Sequence, residues 1–169
     1  MLVIVYFDAF YKDLVTKLKT RYKLVHYTQI HPDLTPSALI ITGSKKRILR
    51  EPSYPELDAL IRKTTGRVIG ICYGFQYLAR LSGGLIREGT EVFRGIREPS
   101  APDVLSLNSL GHYYNHYDKV VKLPKQWIEL EHQDDFISIA YEPKKQWIGY
   151  QFHPEKKFSD FEKYIGSLI

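Results

Sequence analysis

The chain holds one cysteine, Cys72, in 169 residues, which excludes an internal disulfide and any thiolate pair for a metal. A reducing, cytoplasmic setting is the expectation that follows. No apolar run approaches the roughly 20 residues of a membrane span. The opening stretch MLVIVYF meets Asp8 too soon to hold a signal-peptide core with its cleavage site, so neither an anchor nor an export signal is expected. No internal period marks a solenoid, and eleven glycines and nine prolines without a Gly-X-Y pattern exclude collagen. A GxxxxGK phosphate loop is also missing, so any ATP would be used by another chain.

What is present is an ordinary globular composition. With 44% hydrophobic and 25% charged residues, a chain of this length is expected to form a single domain over 1–169 that buries roughly two thirds of its unfolded surface. Lysine and arginine number 24 against 19 acidic residues, a net charge of +5. The basic residues are scattered, as Lys45-Lys46-Arg47, Lys122, Lys125, Lys144-Lys145 and Lys156-Lys157, and read as solvated faces. No RNP, helix-turn-helix or zinc-finger spacing accompanies them, so no nucleic-acid partner is predicted; an acidic partner protein fits the charge equally well. His26, His31, His112 and His132 have no ligand spacing with a second His, Cys or carboxylate cluster. Gln133-Asp134-Asp135 reads as a polar turn between strands, and no metal or other cofactor is predicted.

Residues 2–7 are a continuous apolar, β-branched run, as suits a strand buried on both faces. The same signature recurs at Leu39-Ile40-Ile41 and Val68-Ile69-Gly70-Ile71. Between these runs, Tyr11, Leu14, Val15 and Leu18 have helical spacing, an extended stretch covers Leu24 to Gln29, and a helix begins at Pro55 and stops near Gly66. A third helix follows Cys72 and carries Phe75, Leu78, Ala79 and Leu81. This βαβ rhythm predicts an α/β fold with a mostly parallel central sheet flanked by helices. Beyond Leu85, short strands are predicted around Val92, Val104–Leu107, Val120, Trp127–Leu130, Phe136–Ala140 and Trp147–Phe152. They form an additional mixed or antiparallel β region, closed by a helix with Phe161, Tyr164, Ile165 and Leu168.

Two short strings carry the chemistry. In VIGICYGFQYLA, Cys72 lies between a buried strand and a helix, with Gly70 before it and Gly74 after it, the spacing of a nucleophile elbow. Such a bend pushes the sulfur outward, at a helix N-terminus whose unpaired N–H groups favour the thiolate. In GYQFHPE, a strand runs out into His153-Pro154-Glu155. An imidazole can hold a thiol as thiolate and protonate a departing nitrogen, and Glu155 is placed to turn back and set its tautomer. Taken singly, each string has a plainer reading, a small buried cysteine and a polar turn at a strand end.

Together with LIITGS upstream, GICYGFQYLA and GYQFHPE resemble the class I (triad) glutamine amidotransferases, among them the glutaminase portion of GMP synthetase, over nearly the whole chain. Asn115-His116-Tyr117-Asp118-Lys119-Val120, then Leu123-Pro124, is similar to the Ser-His-Gly-Asp-Lys-Val stretch and following proline of that type. The resemblance implies a flavodoxin-like fold and hydrolysis of glutamine to glutamate and ammonia through a γ-glutamyl thioester on Cys72. In this carry-over His153 is base and acid, and Glu155 orients it. The backbone amides of Tyr73 and of the Gly43-Ser44 loop form the oxyanion hole, Gln76 lines the glutamine pocket, and the loop Asn115, His116 and Tyr117 holds the amino-acid end of the substrate. A separate synthetase that receives the ammonia is implied as partner. Two departures stand out: Gly43-Ser44-Lys45 replaces Gly-Gly-Pro, and Tyr117 replaces a glycine, with strain expected there if the position needs a positive φ. These leave open a γ-glutamyl hydrolase or transferase acting on another γ-glutamyl compound, and a binding or regulatory protein whose triad is idle.

Overall fold

The computed structural model describes residues 1–98 and 111–169. Its centre is a seven-stranded sheet built from β1 (Leu2–Tyr6), β2 (Tyr22–His26), β3 (Ala38–Ile41), β4 (Val68–Ile71), β9 (Ile128–Gln133), β10 (Phe136–Glu142) and β11 (Trp147–Tyr150), in the order β2-β1-β3-β4-β11-β10-β9. The first five in that order are parallel, and β10 and β9 extend the sheet antiparallel. The architecture is therefore the predicted α/β, flavodoxin-like one. Part of the late β region does not stand apart from the core: β11 returns to lie beside β4, in register Ile71 to Tyr150. Two hairpin-like pairs lie outside the main sheet, β5 (Leu85–Arg87) with β8 (Lys119–Lys122), and β6 (Phe93–Arg97) with β7 (His112–His116).

Because β-strand side chains alternate, the apolar runs feed two cores. Val3, Val5, Leu39 and Ile41 pack with α2 (Pro55–Lys63) through Leu57, Leu60 and Ile61, and with α3 (Tyr73–Leu81) through Phe75, Leu78 and Ala79. Leu2, Ile4, Ile40, Ile69 and Ile71 face the other way, against Leu14 of α1 (Tyr11–Val15), Phe161 of α4 (Phe158–Phe161) and Ile165 in the π-type turns that continue it. Helix α2 begins at Pro55, with Glu56 and Asp58 in its first turn and Arg62 and Lys63 in its last, charges that complement the helix dipole.

Three local expectations change. The first helix does not reach Leu18, because the amide of Lys17 closes back on the Leu14 carbonyl and the Thr16 hydroxyl donates to the Asp13 carbonyl, ending the helix in a tight turn. Asn115 and His116 are not loop residues but end strand β7. That strand's sequence, HYYNH, hides its buried face because the inward residues are His112, Tyr114 and His116. The strand predicted at Val104–Leu107 lies outside the described residues. No helix of the described residues is long and apolar enough to cross a membrane.

Candidate active site

In open α/β sheets a ligand crevice forms at the carboxyl ends of the strands, where the strand order reverses. Here β1 is flanked by β2 and β3, so the reversal lies between β1 and β3. Four neighbouring strands release their ends at this edge: β1 into Phe10, β3 into Gly43 and Ser44, β4 into Cys72, and β11 into His153. The pairing of β4 with β11 brings the two short motifs together across about eighty residues of chain, and it continues past the strand ends, since the Cys72 amide donates to the Tyr150 carbonyl at 2.6 Å.

Cys72 has φ 51° and ψ −102°, a backbone conformation that side chains rarely adopt. The bend is possible because β4 and α3 meet at glycines. A Cβ on Gly70 would lie 2.6 Å from the Gly74 carbonyl carbon, and one on Gly74 would lie 2.9 Å from the Ile41 carbonyl carbon and closer still to its oxygen. The sulfur lies 3.9 Å from the Asn115 carbonyl oxygen. It borders a cavity of about 160 Å³ shared by Phe10, Ser44, Tyr73, Gln76, Val92 and the β7 end from Asn115 to Asp118.

His153 is fully buried. Its amide donates to the Tyr113 carbonyl at 2.8 Å, its Nδ1 lies 2.8 Å from Glu155 Oε1, and the ring also interacts with the Cys72 sulfur. Glu155 is itself buried, with its main-chain carbonyl held by the Lys17 ammonium. The ring packs on Phe10 at 4.4 Å between centroids, and a Cβ on Gly43 would lie 2.8 Å from His153 Cε1, so only glycine fits that loop position. Burial works against a charge on His153, but the Glu155 carboxylate and the Cys72 sulfur outweigh it and raise its pKa from 6.5 to about 10. The arrangement favours an imidazolium between a carboxylate and a sulfur.

The remaining expected site residues converge on the same cavity. Gln76 Nε2 donates to the Asp118 carbonyl at 2.7 Å, which also receives His116 Nδ1 at 3.1 Å. Ser44 is buried and its hydroxyl accepts the Lys46 amide at 3.0 Å. The strain expected at Tyr117 is not there. Among the described non-glycine residues, positive φ occurs only at Phe10, Cys72, Asp134 and Gln146, so Tyr117 and Ser44 both sit in ordinary backbone. Gly89 takes the tight contact instead, against the Tyr117 backbone.

Sequence reasoning missed three residues of this wall. Phe10 sits in a left-handed conformation after β1, and nothing in its type announces that. Asp118 is buried and meets Arg47, although it stands inside the stretch quoted for the resemblance. The solvated face expected for Lys45-Lys46-Arg47 does not hold at Arg47. In the structure Lys45 alone of that run is exposed, while Lys46 pairs with Glu51 at 2.8 Å and Arg47 with Asp118. Outside the motifs, His112 is buried between Glu131 and Asp160, 3.3 Å from each, and stacks on Phe152. No group of three or more metal-ligating side chains occurs among the described residues.

His116 gives a test of this electrostatic picture. Burial is the main cause that lowers its pKa from 6.5 to about 3, so it stays neutral, donating from Nδ1 to the Asp118 carbonyl. Between pH 3 and 6.5 the unfolded chain binds a proton there that the folded chain refuses, so stability drops as pH is lowered across this window, by up to about 1.4 kcal/mol per unit. His116→Gln is expected to flatten that slope by one proton in urea titrations between pH 6 and 4; an unchanged slope would contradict a neutral His116.

The family Glutamine amidotransferase class-I matches residues 5–167. A GMP synthase [glutamine-hydrolyzing] of Borreliella burgdorferi is 29% identical over 150 residues, covering 80% of this chain and 29% of that protein. The Bacillus subtilis protein of the same name is 26% identical over 176 residues, covering 95% and 34%. The chain thus spans about a third of the length of these relatives. A putative GMP synthase subunit from Thermoplasma acidophilum shares the fold, with a TM-score of 0.77 and 18% identity, over 98% of this chain and 92% of that one. The match runs from the end of β1 through the rest of the central sheet and both short motifs, and the chain belongs to the class-I glutamine amidotransferase family.

Proposed function

We propose that this chain hydrolyses the side-chain amide of L-glutamine, with Cys72 as nucleophile, His153 as proton carrier and Glu155 as its orienting partner. The Cys72 thiolate attacks the amide carbon, and the oxyanion is received by the backbone amides of Tyr73 and of the Gly43-Ser44 loop; a donor of this kind typically contributes about 3 kcal/mol to the transition state. The His153 imidazolium gives its proton to the departing nitrogen, ammonia leaves, and a γ-glutamyl thioester remains. Water, deprotonated by the now neutral imidazole, then attacks the thioester, releases glutamate and restores the Cys72 thiolate and the His153 imidazolium. Gln76, Asn115, His116 and Tyr117 surround the amino-acid end of the substrate.

The observation that carries this reading is a strained, cavity-facing Cys72 next to a buried His153 whose Nδ1 is held 2.8 Å from Glu155. Ser44 and Tyr117, the departures that leave a different γ-glutamyl compound open, carry no positive φ, so neither strains the backbone of a glutamine pocket. Because relatives named GMP synthase are about three times the length matched here, the ammonia is proposed to pass to a synthetase domain or subunit.

The direct test is to supply glutamine with and without candidate synthetases, measure ammonia and glutamate, and quench in acid during turnover. Equimolar products and a γ-glutamyl adduct on the Cys72 peptide are expected. Equal ammonia release by wild type and Cys72→Ala under every condition would overturn the proposal.

A further inference from the structure

Outside the triad, one side chain of the cavity lining, Arg47, ties the loop after β3 to the stretch after β7. Arg47 follows the Gly43-Ser44 loop, and its guanidinium reaches two other segments, 88–89 and 117–118. Nε and Nη2 both donate to Asp118 Oδ1, at 2.9 and 2.6 Å; Nη2 also donates to the Gly89 carbonyl at 2.9 Å and to Glu88 at 3.2 Å. The guanidinium lies 4.6 Å from the centre of the Tyr117 ring. Asp118 is almost wholly buried, with its side chain 1% exposed, and its main-chain carbonyl is the common acceptor for Gln76 and His116. A chain of direct contacts therefore runs from the Gly43-Ser44 loop through Arg47 and Asp118 to the two cavity residues Gln76 and His116.

The other side of the same loop is anchored independently. Lys46 pairs with Glu51, which also accepts the Tyr54 hydroxyl at 2.5 Å, and Arg80 donates to the carbonyls of Ile48, Glu51 and Pro52. Those contacts brace the loop internally and hold it to α3; Arg47 holds it to the residues just after β7. We propose that Arg47 is a positioning residue that sets the distance between the loop amides at Gly43-Ser44 and the substrate wall at Asn115 to Asp118, so that a γ-carbonyl bonded at one end meets the amino-acid contacts at the other. Arginine suits this because a planar fork reaches a carboxylate, a carbonyl and an aromatic face together, whereas an ammonium provides one point of charge. The inference rests on the glutamine reading of the cavity.

The test compares two reagents on Cys72 by intact-protein mass: 6-diazo-5-oxo-L-norleucine, which needs the amino-acid contacts, and iodoacetamide, which needs only a reactive sulfur. Displacing recognition groups by about 1 Å can cost on the order of 10²-fold. Arg47→Met is therefore expected to slow labelling by the glutamine analogue about 10²-fold and leave iodoacetamide labelling within about twofold of wild type. Arg47→Lys neutralises Asp118 without the fork; it guards against misfolding from an unpaired buried carboxylate and is expected to fall between the two. Steady-state hydrolysis should show a raised KM together with a lowered kcat in both variants. Arg47→Lys and Arg47→Met that label like wild type with both reagents would overturn the proposal. So would an equal loss with both reagents, which would make Arg47 merely structural. A wild type that takes up iodoacetamide but never the glutamine analogue would instead overturn the glutamine reading itself.

Discussion

Glu155→Gln is expected to lower kcat for glutamine hydrolysis by about 10³- to 10⁴-fold, the scale known for replacing the carboxylate behind a catalytic histidine by its amide. The substitution is nearly isosteric, and Lys17 holds the residue through its main-chain carbonyl rather than its carboxylate, so the segment stays in place. What disappears is the negative charge 2.8 Å from His153 Nδ1. Burial alone pulls the pKa of His153 down, and Glu155 and Cys72 together raise it to about 10; without Glu155 the imidazolium loses its main counterweight and the proton needed by the leaving ammonia is held less often. Stability should report the same change. A histidine whose folded pKa is raised contributes stability that is complete below its unfolded value near 6.5 and is lost as pH rises towards 10. Wild type should therefore lose stability between pH 7 and 10 more steeply than Glu155→Gln in urea titrations. A variant with kcat within tenfold of wild type, and the same pH slope, would remove Glu155 from the triad.

Gly74→Ala is expected to destabilise the chain by about 3 kcal/mol or more, the upper range for overpacking a close-packed site. The sign is the informative part. Within an ordinary helix, alanine for glycine stabilises by about 1 kcal/mol, and Gly74 lies in the first turn of α3, where that gain would apply. Here the added methyl meets the Ile41 carbonyl of β3, a backbone group that cannot rotate away, so α3 must lift from the sheet. Because α3 begins at the Cys72 bend and carries the Tyr73 amide, the same shift should also depress Cys72 reactivity. The urea midpoint and the iodoacetamide rate measure the two effects. A variant as stable as wild type would mean that helix and strand are not in the contact described.

How legible the molecule was in its sequence depended on whether the signal was local. The β1, β3 and β4 runs are buried on both faces and read as continuous apolar stretches; Pro55 and the flanking charges mark α2; two glycines and a cysteine mark the elbow. Strand β7 escaped because histidine and asparagine count as polar in any pattern, yet His112, Tyr114 and His116 alternate inward, and treating histidine as a residue that can be buried once its nitrogens are paired would have exposed the period of two. Arg47 escaped for a different reason: its partner Asp118 is 71 residues away, and a run of three basic residues looks the same whether it faces water or a buried carboxylate. The neutrality of His116 and the charge on His153 were equally out of reach, since identical imidazoles acquire opposite shifts only from their surroundings.

The residues by themselves determined an α/β rhythm, a thiol on a bend between strand and helix, and a histidine followed two places on by a glutamate, because each is a matter of near neighbours along the chain. Only the folded sheet decided that β11 lies beside β4, and with that pairing the sulfur and the imidazole share a site. Only the fold tied the loop after β3 to the end of β7 through one guanidinium. Contacts between distant segments take their energy from burial and charge compensation in three dimensions, and neither quantity is written in the order of the residues.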